Sequence, residues 1–225
     1  MISVLLPSRG RPQSLIDSIG SLRAMADDPD RLELLVAADP DDPDTAAAAR
    51  ASRAHCWTAP ERYGYHRLHE YVNRLARQGS GQWLLLWNDD ARMLTTGWDT
   101  VTEQAPPGVL WPSHNDSPLL NIFPIAHRSI IEAIGHVSLS PHCDSWLQDV
   151  ATAAGAHHRI PVGILHDRHD LTGGHDDQTW REAQAGYRTT DYHSPEMVAL
   201  RRRDTEVLKE RRVASASGIQ FPLSE

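Results

Sequence analysis

The chain has 225 residues, 40% of them apolar, enough for one sizeable domain that buries roughly 70–75% of the surface its unfolded form exposes. Twenty-two basic against 30 acidic side chains leave a net charge of −8 with histidine neutral, which argues against general polyanion binding by the whole surface. Two cysteines, Cys56 and Cys143, are too few for a disulfide framework or a four-cysteine zinc site. The longest apolar run, Trp83–Trp87, is far short of the ~20 residues that span a bilayer, and Met1–Pro7 lacks the basic opening and cleavage site of a signal peptide. The expectation is a soluble, cytoplasmic protein.

Short apolar runs alternate with helical patterns through the first half. Ile2–Leu6, β-branched and leucine residues ended by Pro7, reads as a buried strand. Leu15, Ile16, Ile19 and Leu22 then recur at helical spacing, with Pro12 near the favoured first-turn position. Leu32–Ala38 is the second strand, and Asp39-Pro-Asp-Asp-Pro-Asp44 is a loop that opens an alanine-rich helix. His55–Thr58 reads as a short third strand. Tyr65–Arg77 follows as a helix with Leu68, Tyr71, Val72 and Leu75 on one face. Gly79-Ser-Gly81 breaks it, and Gln82–Trp87 is the next strand.

This order of strand and helix predicts an α/β fold, a mostly parallel sheet flanked by helices within a single domain. In such open sheets ligands bind beyond the carboxyl ends of the strands. The residues just past the expected strands are Pro7-Ser8-Arg9, Asp39 and Asn88-Asp89-Asp90, so three strands deliver polar groups to one edge. Aspartates in the Asp41–Asp44 loop have the simpler role of starting a turn or capping a helix. The Asp89-Asp90 pair is different, because two adjacent carboxylates after an apolar strand repel each other unless a cation or a proton relieves them.

At that pair the chain resembles a known family. Gln82-Trp-Leu-Leu-Leu-Trp-Asn-Asp-Asp90 is similar to the apolar strand and DXD-type motif of family 2 glycosyltransferases with the GT-A (Rossmann-like) fold. Other pieces sit in matching order. Ile2–Pro12 resembles the family's opening strand and nucleotide loop, and Leu34–Asp39 its second strand with the aspartate that contacts the nucleotide base. Gly64–Asn73, followed by Gly81, resembles the stretch before the DXD strand. His142–Asp149, leading to Gly155, resembles the helix start that supplies the catalytic base, and Ile164–His169 the late histidine segment of the metal site. Two positions depart from the pattern: Asn88 stands where an acid is common, and Cys143-Asp144 replaces a Glu-Asp pair. The likeness covers about residues 1–185.

The resemblance implies a metal-dependent, inverting glycosyltransferase that moves a sugar from a nucleotide-sugar donor, expected to be a UDP-sugar, to an acceptor hydroxyl. It implies a catalytic region over 1–195, with a nucleotide-binding half (1–90) and an acceptor and metal half (91–195). Pro7, Ser8, Arg9, Arg11, Asp39 and Asp89 would hold the donor. Asp90 and His166 would hold Mn²⁺ or Mg²⁺, with His169 the second choice of histidine. Oxygen ligands suit both cations, and a nitrogen ligand favours Mn²⁺ somewhat. Asp144 would be the general base, its charged form favoured at a helix start expected at Ser145; Asp149, off that helix face, reads as surface, and Asp149 and Asp116 are the next candidates for the base. Gly173-Gly174 would let the Asp167–His175 loop close over the donor. The acceptor would be a small glycoside, a peptide or a modified nucleobase of DNA.

Other chemistries lack their signatures. The 13 histidines contain no His-Glu-x-x-His, and His166 and His169 have the wrong spacing for a binuclear hydrolase. Neither a Gly-x-Ser-x-Gly elbow nor a P-loop is present. A sugar nucleotidyltransferase shares the sheet architecture, but its glycine-rich opening with a downstream lysine is missing. A non-catalytic nucleotide- or glycan-binding relative is the alternative from another class. Residues 196–225 read as a C-terminal basic helix, Met197–Val213, and a tail. The helix carries a local charge of +3 on an acidic chain, either a solvated face or a contact for an anionic partner.

Overall fold

The computed structural model describes residues 1–173, 178–189 and 191–216. The expected strands of the first half form as β1 (Ile2–Pro7), β2 (Leu32–Ala38), β3 (His55–Thr58) and β4 (Trp83–Leu86). All pair in parallel, in the spatial order β3-β2-β1-β4. Helix α1 (Pro12–Ala24) begins with proline in its first turn and buries Leu15, Ile19 and Leu22. Ile16, expected on the same face, is 37% exposed; Ser14 and Ser18 are buried instead. Helix α2 (Pro43–Ala51) is capped by Asp42, whose carboxylate accepts the Thr45 N–H at 3.1 Å. The expected helix over Tyr65–Arg77 divides into a 3₁₀ turn, Tyr65–Arg67, and α3 (Leu68–Gln78). The turn follows Gly64, whose φ of 68° suits glycine.

The second half adds β5 (Ala91–Met93), α4 (Trp98–Glu103), β6 (Val109–His114), β7 (Ile125–His127), α5 (Arg128–Ile134), α6 (Cys143–Ala153) and β8 (His157–His166). Helices α7 (His169–Thr172), α8 (Gln178–Thr189) and α9 (Pro195–Ala216) follow. Among the described residues the sheet has eight strands in the order β3-β2-β1-β4-β7-β6-β8-β5, with β7 and β5 antiparallel to their neighbours. Because β8 is parallel to β6, it runs in the same direction as β1 and β4, and His166 emerges at the same carboxyl edge as Ser8 and Asp89.

The sheet must curl. Strands β4 and β5 are four places apart in it, about 19 Å if it were flat. The five steps from Leu86 to Ala91 span at most about 17–18 Å fully extended. Curling brings β5 back against α1, where the Met93 N–H donates to Ser21 Oγ at 3.0 Å.

Alternation along β1 sends Ile2, Val4 and Leu6 to one core with α1 residues Leu15, Ile19 and Leu22, and Leu5 to another with Tyr71, Val72 and Leu75 of α3. Trp146 and Leu147 of α6 and Leu208 of α9 belong to the second core. Helix α9 is therefore packed, not simply solvated. Its Asp204, 1% exposed, accepts the Trp146 indole N–H at 3.0 Å and faces His136 Nε2 at 3.3 Å. No helix among the described residues is long and apolar enough to cross a membrane.

Candidate active site

The Asn88–Asp90 turn is built by α1. The buried Ser18 hydroxyl accepts the Trp87 indole N–H at 2.7 Å and lies 3.0 Å and 2.8 Å from the carbonyls of Asn88 and Ala91. One turn earlier, Ser14 Oγ donates to the Asp89 carbonyl at 2.7 Å. Serines at i and i+4 thus replace apolar residues on a core-facing stripe and clamp the turn. Ser18→Ala strands the buried Trp87 indole N–H, while the two carbonyls keep the Ala91 N–H and Arg92 as donors, so stability to denaturant should fall by about 1–3 kcal/mol. A change under about 0.3 kcal/mol in a urea melt would contradict this role.

The clamped turn presents two buried carboxylates, and the relief that their repulsion requires is visible. Arg11 Nη1 bridges them, 3.1 Å from Asp89 Oδ1 and 3.0 Å from Asp90 Oδ2. Ser8 Oγ donates to Asp89 Oδ2 at 2.7 Å. Burial, reinforced by the charge of Asp90, raises the Asp89 pKa despite Arg11. Burial also opposes ionisation of Asp90, but His166 and Arg11 outweigh it and hold the carboxyl below its ordinary range.

His166 closes the other side. It ends β8 opposite Ala91, and the Asp167 N–H donates to the Asp90 carbonyl at 2.8 Å. Its Nε2 lies 3.2 Å from Asp90 Oδ1 and 3.3 Å from Asn88 Nδ2; its Nδ1 lies 3.0 Å from Asp116 Oδ2. Burial disfavours the charged ring, but hydrogen bonds and charge from Asp116 and Asp90 overcome this and push its pKa up to about 9. Burial likewise opposes the charge on Asp116, while His114, His166 and Arg168 hold its carboxyl well below the ordinary range.

Do these residues fit a divalent cation? Adjacent ligands of an octahedral Mg²⁺ or Mn²⁺ at about 2.1 Å lie about 3 Å apart; Asp90 Oδ1 and His166 Nε2 are 3.2 Å apart. Without a cation, Nε2 shares a proton with Asp90; a cation would displace that proton and leave Nδ1–H on the carboxylate behind, the usual arrangement of a ligating histidine. Among the described residues no three such side chains converge. The protein therefore offers two donors and leaves the remaining positions to phosphate and water, a pattern that suits these cations. The residues fit.

On the β2 side, the Arg9 guanidinium reaches Asp39 Oδ2 at 2.9 Å and grips both oxygens of Asp41 at 2.6 and 2.9 Å. Asp39 also accepts a hydrogen bond from the Tyr71 hydroxyl. Across the cleft, α6 begins at Cys143 and not at Ser145, so Asp144 lies inside the first turn. Its Oδ1 accepts the Ser145 N–H at 2.7 Å. Burial nevertheless dominates and raises its pKa, the reverse of the expected helix-start stabilisation of the charge.

Pro7, Ser8, Arg9, Arg11, Asp39, Asp89, Asp90, Asp144 and His166 all line one cleft. Tyr65, Tyr71, Arg168, Trp180 and Glu182 also line it and were not singled out from the sequence. Tyr71 had shown only as one of a helical apolar stripe. Asp116, a reserve choice for the base, faces His166 and Arg168. Asp149, the other reserve, is exposed and accepts from the Tyr192 hydroxyl at 2.9 Å. The His169 side chain and residues 174–177, hence the far part of the expected closing loop, lie outside what is described.

The architecture is the GT-A fold of solved glycosyltransferases. The chain is similar to the mannosyltransferase PcManGT of Pyrobaculum calidifontis, solved with GDP-Man and Mn²⁺, at 13% identity and a TM-score of 0.61 over 98% of this chain and 76% of that one. It is similar to glucosyl-3-phosphoglycerate synthase of Mycobacterium tuberculosis, solved with Mn²⁺, UDP and glucosyl-3-phosphoglycerate, at 15% identity and a TM-score of 0.60 over 98% and 81% of the two chains. TarS of S. aureus in complex with UDP aligns at 12% identity and a TM-score of 0.57 over 100% of this chain and 94% of that one. No protein-family model matches the sequence, and no curated protein aligns with it. At these identities the likeness establishes the fold alone.

Proposed function

We propose that the protein is a metal-dependent, inverting glycosyltransferase that transfers a sugar from a nucleoside diphosphate donor to an acceptor hydroxyl. The observation that carries the reading is the convergence of Asp39, the Asp89-Asp90 pair, His166 and Asp144 on one cleft at the carboxyl edge of the sheet. Residues 1–90 supply the nucleotide side: Pro7 and Ser8 border it, and Asp39, set by Arg9 and Tyr71, faces the base or ribose. Arg11 and Asp89 flank the diphosphate and sugar. Asp90 and His166 hold Mn²⁺ or Mg²⁺, which when bound offsets the charge gathering on the diphosphate leaving group. Asp144, on the acceptor side, removes the hydroxyl proton as the oxygen attacks the anomeric carbon. Inversion is what the resemblance to family 2 glycosyltransferases implies, with Asp144 as the one base opposite the leaving group.

UDP- and GDP-bound relatives of the same fold make these two nucleotides the first donors to test, with a UDP-sugar expected. The acceptor is a small glycoside, a peptide or a modified nucleobase. Incubation with UDP- and GDP-sugars and Mn²⁺ should release the nucleoside diphosphate, and EDTA should abolish the release. Tight nucleotide binding without release under any donor and acceptor combination would instead support a non-catalytic binding relative. Release of pyrophosphate from a nucleoside triphosphate and a sugar phosphate would support a nucleotidyltransferase.

A further inference from the structure

The loop after β6 touches His166 in a way that the functional reading does not use. Asn115 binds the histidine backbone on both sides: the His166 N–H donates to Asn115 Oδ1 at 2.7 Å, and Asn115 Nδ2 donates to the His166 carbonyl at 3.0 Å. The next residue, Asp116, places Oδ2 3.0 Å from His166 Nδ1, with its side chain only 3% exposed. Its other oxygen lies 3.1 Å from Arg168 Nη1, and His114 Nδ1 lies 3.4 Å from Oδ2. The Phe123 ring meets the His166 ring edge-on at 5.1 Å between centroids. Backbone, ring plane and ring rotation of His166 are therefore each set by a different contact.

Two consecutive side chains converge on one residue from behind the cleft, where every exchange of partners costs desolvation. The same imidazole would otherwise have two ways to face Asp90. With Nδ1–H on Asp116, the Nε2 lone pair points at the cleft; with the ring flipped, the cleft would meet Cδ2 and Cε1 edges or an N–H. A carboxylate behind a ligating histidine favours the first arrangement and raises the basicity of the ligating nitrogen.

We infer that Asn115-Asp116 is the positioning element of the cation site: Asn115 fixes the His166 backbone, and Asp116 holds Nδ1–H so that Nε2 faces the cation beside Asp90. The inference rests on the functional reading above and adds two residues that touch neither donor nor cation. Arg168, on the far oxygen of Asp116, keeps that carboxylate from turning away.

The experiment is Mn²⁺ titration of the full chain with UDP or GDP present, following the free-ion electron spin resonance signal. Asp116→Ala should raise the Mn²⁺ dissociation constant roughly 10–100-fold, the usual effect of removing such a partner. Asp116→Asn, which retains a carbonyl acceptor for Nδ1–H, should recover a large part of that loss. An affinity for Asp116→Ala within threefold of wild type overturns the positioning role and leaves the functional reading standing. Absence of Mn²⁺ binding by wild type with either nucleotide overturns both. A second measurement does not depend on the variants folding: ring ¹⁵N spectra of wild type with Mg²⁺ and UDP should show the His166 proton on Nδ1 and none on Nε2. A proton on Nε2 in that state overturns the inference.

Discussion

Asp144→Asn is expected to lower turnover by roughly 10²–10⁴, the usual worth of a positioned general base, while leaving the fold and donor affinity nearly intact. The side chain keeps its size, and an amide oxygen can still accept the 2.7 Å hydrogen bond from the Ser145 N–H. Nucleotide affinity should stay within about threefold, because the proposed base would serve the acceptor and not the donor. The pH dependence follows from burial. A base works only when ionised, and burial lifts the Asp144 carboxyl above its ordinary value. Activity should therefore fall on acidification, with the midpoint of the acid limb above about 4, where an exposed aspartate would place it. Near-full transfer activity in the variant would move the base elsewhere; loss of folding would show that Asp144 is a structural part of the α6 start.

Asp90→Asn should abolish Mn²⁺-dependent nucleotide binding and turnover together. On the proposed reading the cation has two protein donors, Asp90 Oδ1 and His166 Nε2, 3.2 Å apart, and loss of the charged one removes the main attraction. The fold should tolerate the change. Arg11 retains Asp89, at 3.1 Å, and removing one of two repelling carboxylates offsets part of the lost pairing. Calorimetry with a nucleoside diphosphate and Mn²⁺ decides the point: an affinity equal to that of wild type would rule Asp90 out as a ligand. Nucleotide binding measured without metal should change little, since Arg9, Asp39 and Tyr71 lie on the other flank of the cleft.

The first half of the chain was readable because its central strands, β1, β2 and β4, are buried on both faces and its helices on one. Leu32–Ala38 forms as read, since a parallel sheet covered by helices demands near-continuous apolar runs; His55–Thr58 also forms, as a half-exposed strand at the sheet edge. The second half was harder. Strands β5 and β7 have three residues each, too few for a period of two to show, and Ala91–Met93 hides between two aspartates and a threonine pair. Their existence depends on partners far away in sequence, β8 for β5 and β4 for β7.

Local chemistry placed the polar edge through the residues that end apolar strands and the adjacent carboxylates, while the late histidine and Asp144 came from the family resemblance. The side-chain partners came from elsewhere. Arg11 is 78 residues from Asp89, and Asp116 is 50 residues from His166; no spacing rule connects such pairs. Ser14 and Ser18 carry no signal in the sequence; the curl of the sheet brings the Asn88–Ala91 turn against them. The sign of the Asp144 shift also needed the tertiary structure. A helix start by itself favours the charged carboxylate, but the walls of the cleft remove the water that would solvate it, and desolvation outweighs one backbone N–H. By itself the sequence determined which residues must avoid the core and gather at the carboxyl edge, because burial pattern and strand order are local or nearly so. Only the tertiary structure decided which of them touch and which carry charge, because both depend on distances and solvent exclusion that the curled sheet creates.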